Sequence, residues 1–148
     1  MSRQRSILAL ILAVFVTFAI SFSSFAATPK AATYTPAQIE QIQKYAPKIT
    51  EFRGRMDELQ TLIQKRNWID TRTFIHGPLG QLRQDMAYVT RYLLPKNQPA
   101  ARKAAKDVFG HLETIDKAAA ANSYEVASQN YREALKDFDA FLQLLPQG

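Results

Sequence analysis

Apolar residues in this chain return at steps of three and four along almost its whole length, and that spacing admits little besides helices packed side by side. The first stripe is Ile39, Ile42, Ala46, Ile49, Phe52, Met56, Leu59 and Ile63. The second is Leu79, Leu82, Met86, Val89 and Leu93, and the third Ala101, Ala105, Val108, Leu112, Ile115 and Ala119. The fourth runs through Tyr124, Ala127, Tyr131, Leu135, Phe138, Leu142 and Leu145. Each stripe marks one buried face of a helix. No segment alternates apolar and polar residues between hairpin turn signals, so strands are not expected. Short links between stripes favour antiparallel neighbours, and the expected fold is an all-α, up-down-up-down four-helix bundle.

The stripes are punctuated where a helix can start or stop. Thr35-Pro36-Ala37-Gln38 reads as a capping box, with Thr35 as N-cap and Pro36 at the first helical position. Pro47 falls inside the first stripe and is expected to kink it. Gly77-Pro78 is a strong breaker, and Pro78 is well placed to start or bend the second helix. Leu94-Pro95 ends that helix, because the residue before proline disfavours the helical region. Pro99 sits in the first turn of the third helix. Asn122, with Glu125 three residues on, reads as the cap of the fourth, and Pro146 follows its end. Asn67 to Pro78 fits no stripe and holds the only Trp of the chain.

Ahead of the bundle the pattern changes. Arg3 and Arg5 precede an almost unbroken apolar run from Ile7 to Ile20, and small residues follow to Ala27. A basic start, a short apolar core and a small-residue exit make a secretory signal peptide, with cleavage expected after Ala26. The run is shorter than the roughly 20 residues of a membrane-spanning helix. The domain plan is then a signal peptide over 1–26, a linker over 27–34 and a helical bundle over 35–148. Loss of Arg3 and Arg5 lowers the formal net charge from +6 to +4, so the exported protein is mildly basic.

The chain has no Cys. That excludes disulfides, Cys-ligated zinc or iron–sulfur sites, covalent c-type haem, a cysteine nucleophile and a thiol for lipid anchoring. The two histidines, His76 and His111, have Thr73 and Val108 three residues upstream, so the Glu-x-x-His pairs of carboxylate-bridged metal bundles are missing. His111, beside Phe109 and Leu112, reads as a partly buried structural histidine. Met56 and Met86 lie on core stripes and read as packing rather than haem ligands. Ser123 and Ser128 are the only serines beyond the signal, and neither sits in a nucleophile elbow. No Gly-rich phosphate loop occurs. Neither an enzyme nor a bound cofactor or metal is expected.

Charge is more informative. Lys96, Arg102, Lys103 and Lys106 form a basic run with no acid before Asp107, and the fourth stripe carries Glu125, Glu133, Asp137 and Asp139. The basic run reads either as a solvated face that attracts the neighbouring helix or as a docking patch for an acidic protein surface. Modest basicity and export argue against nucleic acid as a partner.

Several stretches are distinctive beyond their periodicity. They are Trp68-Ile69-Asp70, the run from Phe74-Ile75-His76-Gly77-Pro78 through Leu79-Gly80-Gln81-Leu82-Arg83 to Met86, Leu93-Leu94-Pro95-Lys96, Val108 to Glu113, and Tyr131 to Asp139. Together they resemble the cyanobacterial PsbQ-like proteins, extrinsic lumenal subunits of photosystem II, over roughly residues 36–146. The resemblance implies a four-helix bundle that is not itself an enzyme. It implies a place in the thylakoid lumen, peripheral on the membrane, in contact with the photosystem II core and other extrinsic subunits. It also implies stabilisation of the oxygen-evolving cluster and help in retaining calcium and chloride. Members of the family usually carry a lipobox Cys, where this chain reads Ala19-Ile20-Ser21-Phe22-Ser23-Ser24; contact through protein surfaces, by a chain that is monomeric when free, is therefore expected. The rival reading is an exported bundle that binds a small ligand or metal ion. For docking, the candidate residues are Trp68, Asp70, Phe74, His76 and Pro78 at the helix break, and Lys96, Arg102, Lys103 and Lys106 in the basic run.

Overall fold

The computed structural model describes residues 32–147. The expected signal peptide, its cleavage point and the start of the linker lie outside them. Six helical segments follow one another: α1 (Pro36–Gly54), α2 (Met56–Gln64), α3 (Trp68–His76), α4 (Leu79–Tyr92), α5 (Gln98–Ala120) and α6 (Tyr124–Leu142). Among the described residues there is no strand.

The six segments make four arms. Arg55, between α1 and α2, stays in the right-handed helical region, with φ −79° and ψ −6°. Its N–H is shared between the carbonyls of Glu51 and Phe52. Gly77 and Pro78, between α3 and α4, are also right-handed. Each junction therefore bends the chain without reversing it. The arms α1–α2, α3–α4, α5 and α6 pack in a ring, each on its two neighbours in sequence, with the last returning to the first. Gln38 near the start of α1 donates to the Tyr92 carbonyl at the end of α4, and Arg83 of α4 reaches Glu113 of α5. Successive arms are antiparallel, and the bundle is up-down-up-down as the stripes require.

The Thr35 capping box is formed in full. The Thr35 hydroxyl accepts from the Gln38 N–H at 3.2 Å, and the Thr35 N–H donates to Gln38 Oε1 at 2.9 Å. Helix α1 runs through Pro47, which leaves one backbone bond unmade, and the first arm is interrupted at Gly54–Arg55. Two local expectations need correction. The segment Asn67–Pro78 is also helical, as α3. Asn67 caps it by accepting from the Asp70 N–H, so the arm that seemed to begin at Leu79 begins eleven residues earlier. Finally, Asn122 is not an N-cap. At φ 57° it occupies the left-handed region and closes the turn out of α5, its N–H donating to Ala119 and that of Ser123 to Ala118. That is a Schellman ending, and Asn tolerates the left-handed position better than most residues. Arg66 ends α2 the same way, at φ 54°.

One continuous core runs through the ring. Phe52, Phe74 and Phe138 meet at its centre, with Phe52 5.6 Å from Phe74 and 5.7 Å from Phe138 between ring centroids. Met56 and Met86 are fully buried beside them, in the packing role their stripes indicate. The most extensive packing is between α5 and α6, and both helices carry buried alanines, Ala104 and Ala118 on α5 and Ala127 and Ala134 on α6. Small side chains let the two backbones approach.

Tyr131 is the exception in this core. Its hydroxyl is buried and has no hydrogen-bond partner. Burial, and then the negative charge of Asp57, push its phenol above the ordinary value. An unpartnered buried hydroxyl costs about 1–3 kcal/mol. Tyr131→Phe is therefore expected to raise stability by about 1 kcal/mol, read as a higher urea midpoint with an unchanged slope. A lower midpoint would mean that the hydroxyl has a partner in solution.

Candidate docking surfaces

The α3 end of the bundle holds the first set of candidate residues. Asn67 Nδ2 donates to Asp70 Oδ2 at 2.6 Å, so Asp70 is tied into the helix start, where a negative charge suits the exposed N–H groups. Trp68 is half-buried against the core, and Ile69 beside it is 80% exposed. Phe74 points the other way. It is buried in the aromatic centre, with the Arg55 guanidinium 5.1 Å from its ring, and supports α3 from beneath. Pro78 is half-buried at the bend. The face that α3 presents to solvent is therefore Trp68, Ile69, Arg72, Thr73 and His76, which with Ala119 and Ala120 of α5 line an open hollow of about 660 Å³.

His76 is fastened into that face. Its Nε2 lies 2.9 Å from Asp116 Oδ1, and Arg72 Nε donates to the same oxygen at 3.0 Å. Partial burial pushes the Asp116 carboxyl up, but the hydrogen bonds and charges of Arg72 and His76 outweigh it and hold the group below its ordinary value. A depressed carboxylate stabilises the fold above its unfolded pKa, and that contribution is lost as pH falls through the folded value. Asp116→Asn is expected to cost about 0.5–1 kcal/mol at neutral pH, the scale of partly exposed ion pairs. The thermal midpoints of the two proteins should converge only in stronger acid, below the depressed folded value, where the carboxyl is protonated in both states. A gap that persists in acid would place the loss in packing rather than in charge.

The basic run is divided by the helix that carries it. Lys96 lies exposed in the turn before α5. Lys103 faces α6, bonded to Asp107 one turn on and near enough to Asp137 to feel its charge. Arg102 and Lys106, four residues apart, face α4 instead. There they meet Arg83 and Arg91, which the sequence did not single out, across a groove of about 560 Å³. Arg83, Ala87 and Arg91 stand at successive four-residue steps on α4, a pattern that could have been found had the α4–α5 pairing been known.

The α5–α6 seam holds the remaining charge. His111 is half-buried, with Nδ1 2.8 Å from Asn130 Oδ1 and Nε2 3.3 Å from Asp137 Oδ2. Burial and the neighbouring Asp107 raise the Asp137 carboxyl above its ordinary value, against the pull of His111 and Lys103. The histidine joins two helices, in keeping with the structural role expected of it. Among the described residues no three or more His, Asp or Glu side chains converge as metal ligands. No described helix is long and apolar enough to cross a membrane.

The family described as PsbQ, oxygen evolving enhancer protein 3, matches residues 2–146. This chain belongs to the PsbQ family. A relative from Synechocystis sp., CyanoQ, is 50% identical over an aligned length of 152, which takes in all of this chain and 99% of the relative. The match takes in every helix from α1 to α6, and the candidate surfaces on α3, α4 and α5 fall inside it.

Proposed function

We propose that this PsbQ-family chain is a non-catalytic extrinsic subunit of photosystem II, held on the lumenal face of the thylakoid membrane by contacts with the core and with other extrinsic subunits. The observation that carries this reading is the family match across residues 2–146, joined by a full-length relative at 50% identity. The surface is consistent with it. The bundle offers a basic groove and an apolar-edged α3 face, which suit docking to a larger body better than chemistry on a small molecule. Bound there, a rigid helical body covers the oxygen-evolving cluster from bulk water. By slowing exchange, it would help retain calcium and chloride.

The experiment is to purify oxygen-evolving photosystem II from the source organism at low salt and probe for this chain before and after a high-salt wash. The expected result is co-purification, release by salt, and a fall in oxygen evolution that is sharpest at low calcium or chloride. Exposed ion pairs are screened over about 8–10 Å at ordinary ionic strength, which is why salt should release the protein. A chain absent from the complex and free in the exported fraction would overturn the reading and turn attention to ligand analysis.

A further inference from the structure

The groove between α4 and α5 has a composition that the docking reading does not require. Arg83 and Arg91 form one wall and Arg102 and Lys106 the other. Phe109, 4% exposed, closes the floor with Ala87 and Ala105. Four cations face one carboxylate, Glu113, and Arg83 takes that carboxylate at 3.0 Å while lying 4.2 Å over the Phe109 ring. Among the described residues Arg91, Arg102 and Lys106 have no acidic partner. These three cations line one cleft without an acid to neutralise them, Arg91 with its guanidinium 5.3 Å from the Tyr88 ring, and an anionic occupant would supply the missing countercharge.

We infer that this groove receives a short, extended, acidic segment of a partner protein, with carboxylates that meet Arg91, Arg102 and Lys106 and a small apolar stretch laid over Phe109. The size fits. Arg83 and Arg91 are eight residues apart, about 12 Å along a helix. An extended chain advances about 3.3 Å per residue, so about four residues span the groove. A cleft of about 560 Å³ has the capacity of a ligand site rather than of a helix-binding trough. The charges also face each other across the cleft instead of spreading over a flat face, and a bilayer surface cannot enter such a cleft. Arginine is suited to the task because its planar fork holds a carboxylate with two bonds. The inference rests on the docking reading and names the chemistry of one contact within it.

The absence of Cys makes the test direct. Ala87→Cys places a single thiol in the groove, and Val126→Cys places one at an exposed position of α6 outside it. Each is labelled with a benzophenone maleimide, bound to photosystem II particles stripped of extrinsic subunits, illuminated and digested. The expected result is a groove cross-link to a photosystem II protein segment with at least two carboxylates within about four residues. The cross-link should be lost when Arg91, Arg102 and Lys106 are changed together to Gln. A groove cross-link to lipid, or to a segment without acids, overturns the inference, as does docking that leaves the groove label unreacted or the triple variant's cross-link intact. In those cases the docking reading stands. If neither labelled protein nor the unmodified chain sediments with the particles, the docking reading itself fails and the inference falls with it.

Discussion

Phe138→Ala is expected to lower stability by about 3–5 kcal/mol, the cost of removing a fully buried aromatic side chain. Phe138 is 0% exposed and sits on α6 against Phe52 of α1, which in turn meets Phe74 of α3. One truncation thus opens a void where three of the four arms converge, and backbones held by several helices cannot collapse to fill it. Single domains are stable by only about 5–15 kcal/mol, so this is a large share of the whole. The thermal midpoint should fall by about 10–20 °C, scaling from a few degrees per kcal/mol for a domain of this size. Phe138→Leu keeps most of the volume and should lose clearly less. Ile69→Ala, on a side chain 80% exposed, should stay within about 0.5 kcal/mol. Equal losses for Phe138→Ala and Ile69→Ala would mean that the aromatic centre does not hold the arms together.

The second large effect concerns docking. Changing Arg102 and Lys106 together to Gln is expected to weaken binding to photosystem II about tenfold at low salt, or about 1.4 kcal/mol, and to flatten its salt dependence. Lys103→Gln is expected to change affinity less than about twofold, because a charge already neutralised by a neighbour has little left to offer a partner. Lys103 is such a charge: it is bonded to Asp107 and faces α6, whereas Arg102 and Lys106 face the groove. Binding and its salt slope would be read by sedimentation with stripped particles at several ionic strengths. If Lys103→Gln weakens binding as much as the pair does, attraction comes from the whole basic surface and the groove has no special part.

The contrast between Lys103 and its neighbours shows where linear reading stops. Lys96, Arg102, Lys103 and Lys106 form one run in sequence, but each helical step turns a side chain by about 100°, so adjacent residues leave on different faces. Whether a face meets an acid or an empty cleft depends on the helix beside it. Arg83 and Arg91 lie on a different arm and join Arg102 and Lys106 only because α4 and α5 run antiparallel. Phe74 makes the same point in reverse. It belongs to a distinctive stretch that invites a docking role, and the packing of α3 against α2 and α5 turns it into the core, beside Phe52.

The sequence by itself determined the helical class, the four arms, their antiparallel order and one terminus in atomic detail. All of these follow from local rules: a repeat of apolar residues near 3.6, prolines and glycines that stop a helix, and a Thr-Pro-x-Gln box that caps one. It determined the family as well, because long runs such as Phe74 to Met86 are far more specific than periodicity. Only the tertiary structure decided that the first arm is interrupted at Gly54–Arg55, that Asn67–Pro78 continues the second arm as a helix, and that Asn122 closes a turn rather than capping a helix. It also decided which cations have an acidic partner within the bundle and which do not. Those outcomes rest on contacts between residues distant along the chain, where packing outweighs the weak local preferences of any one residue.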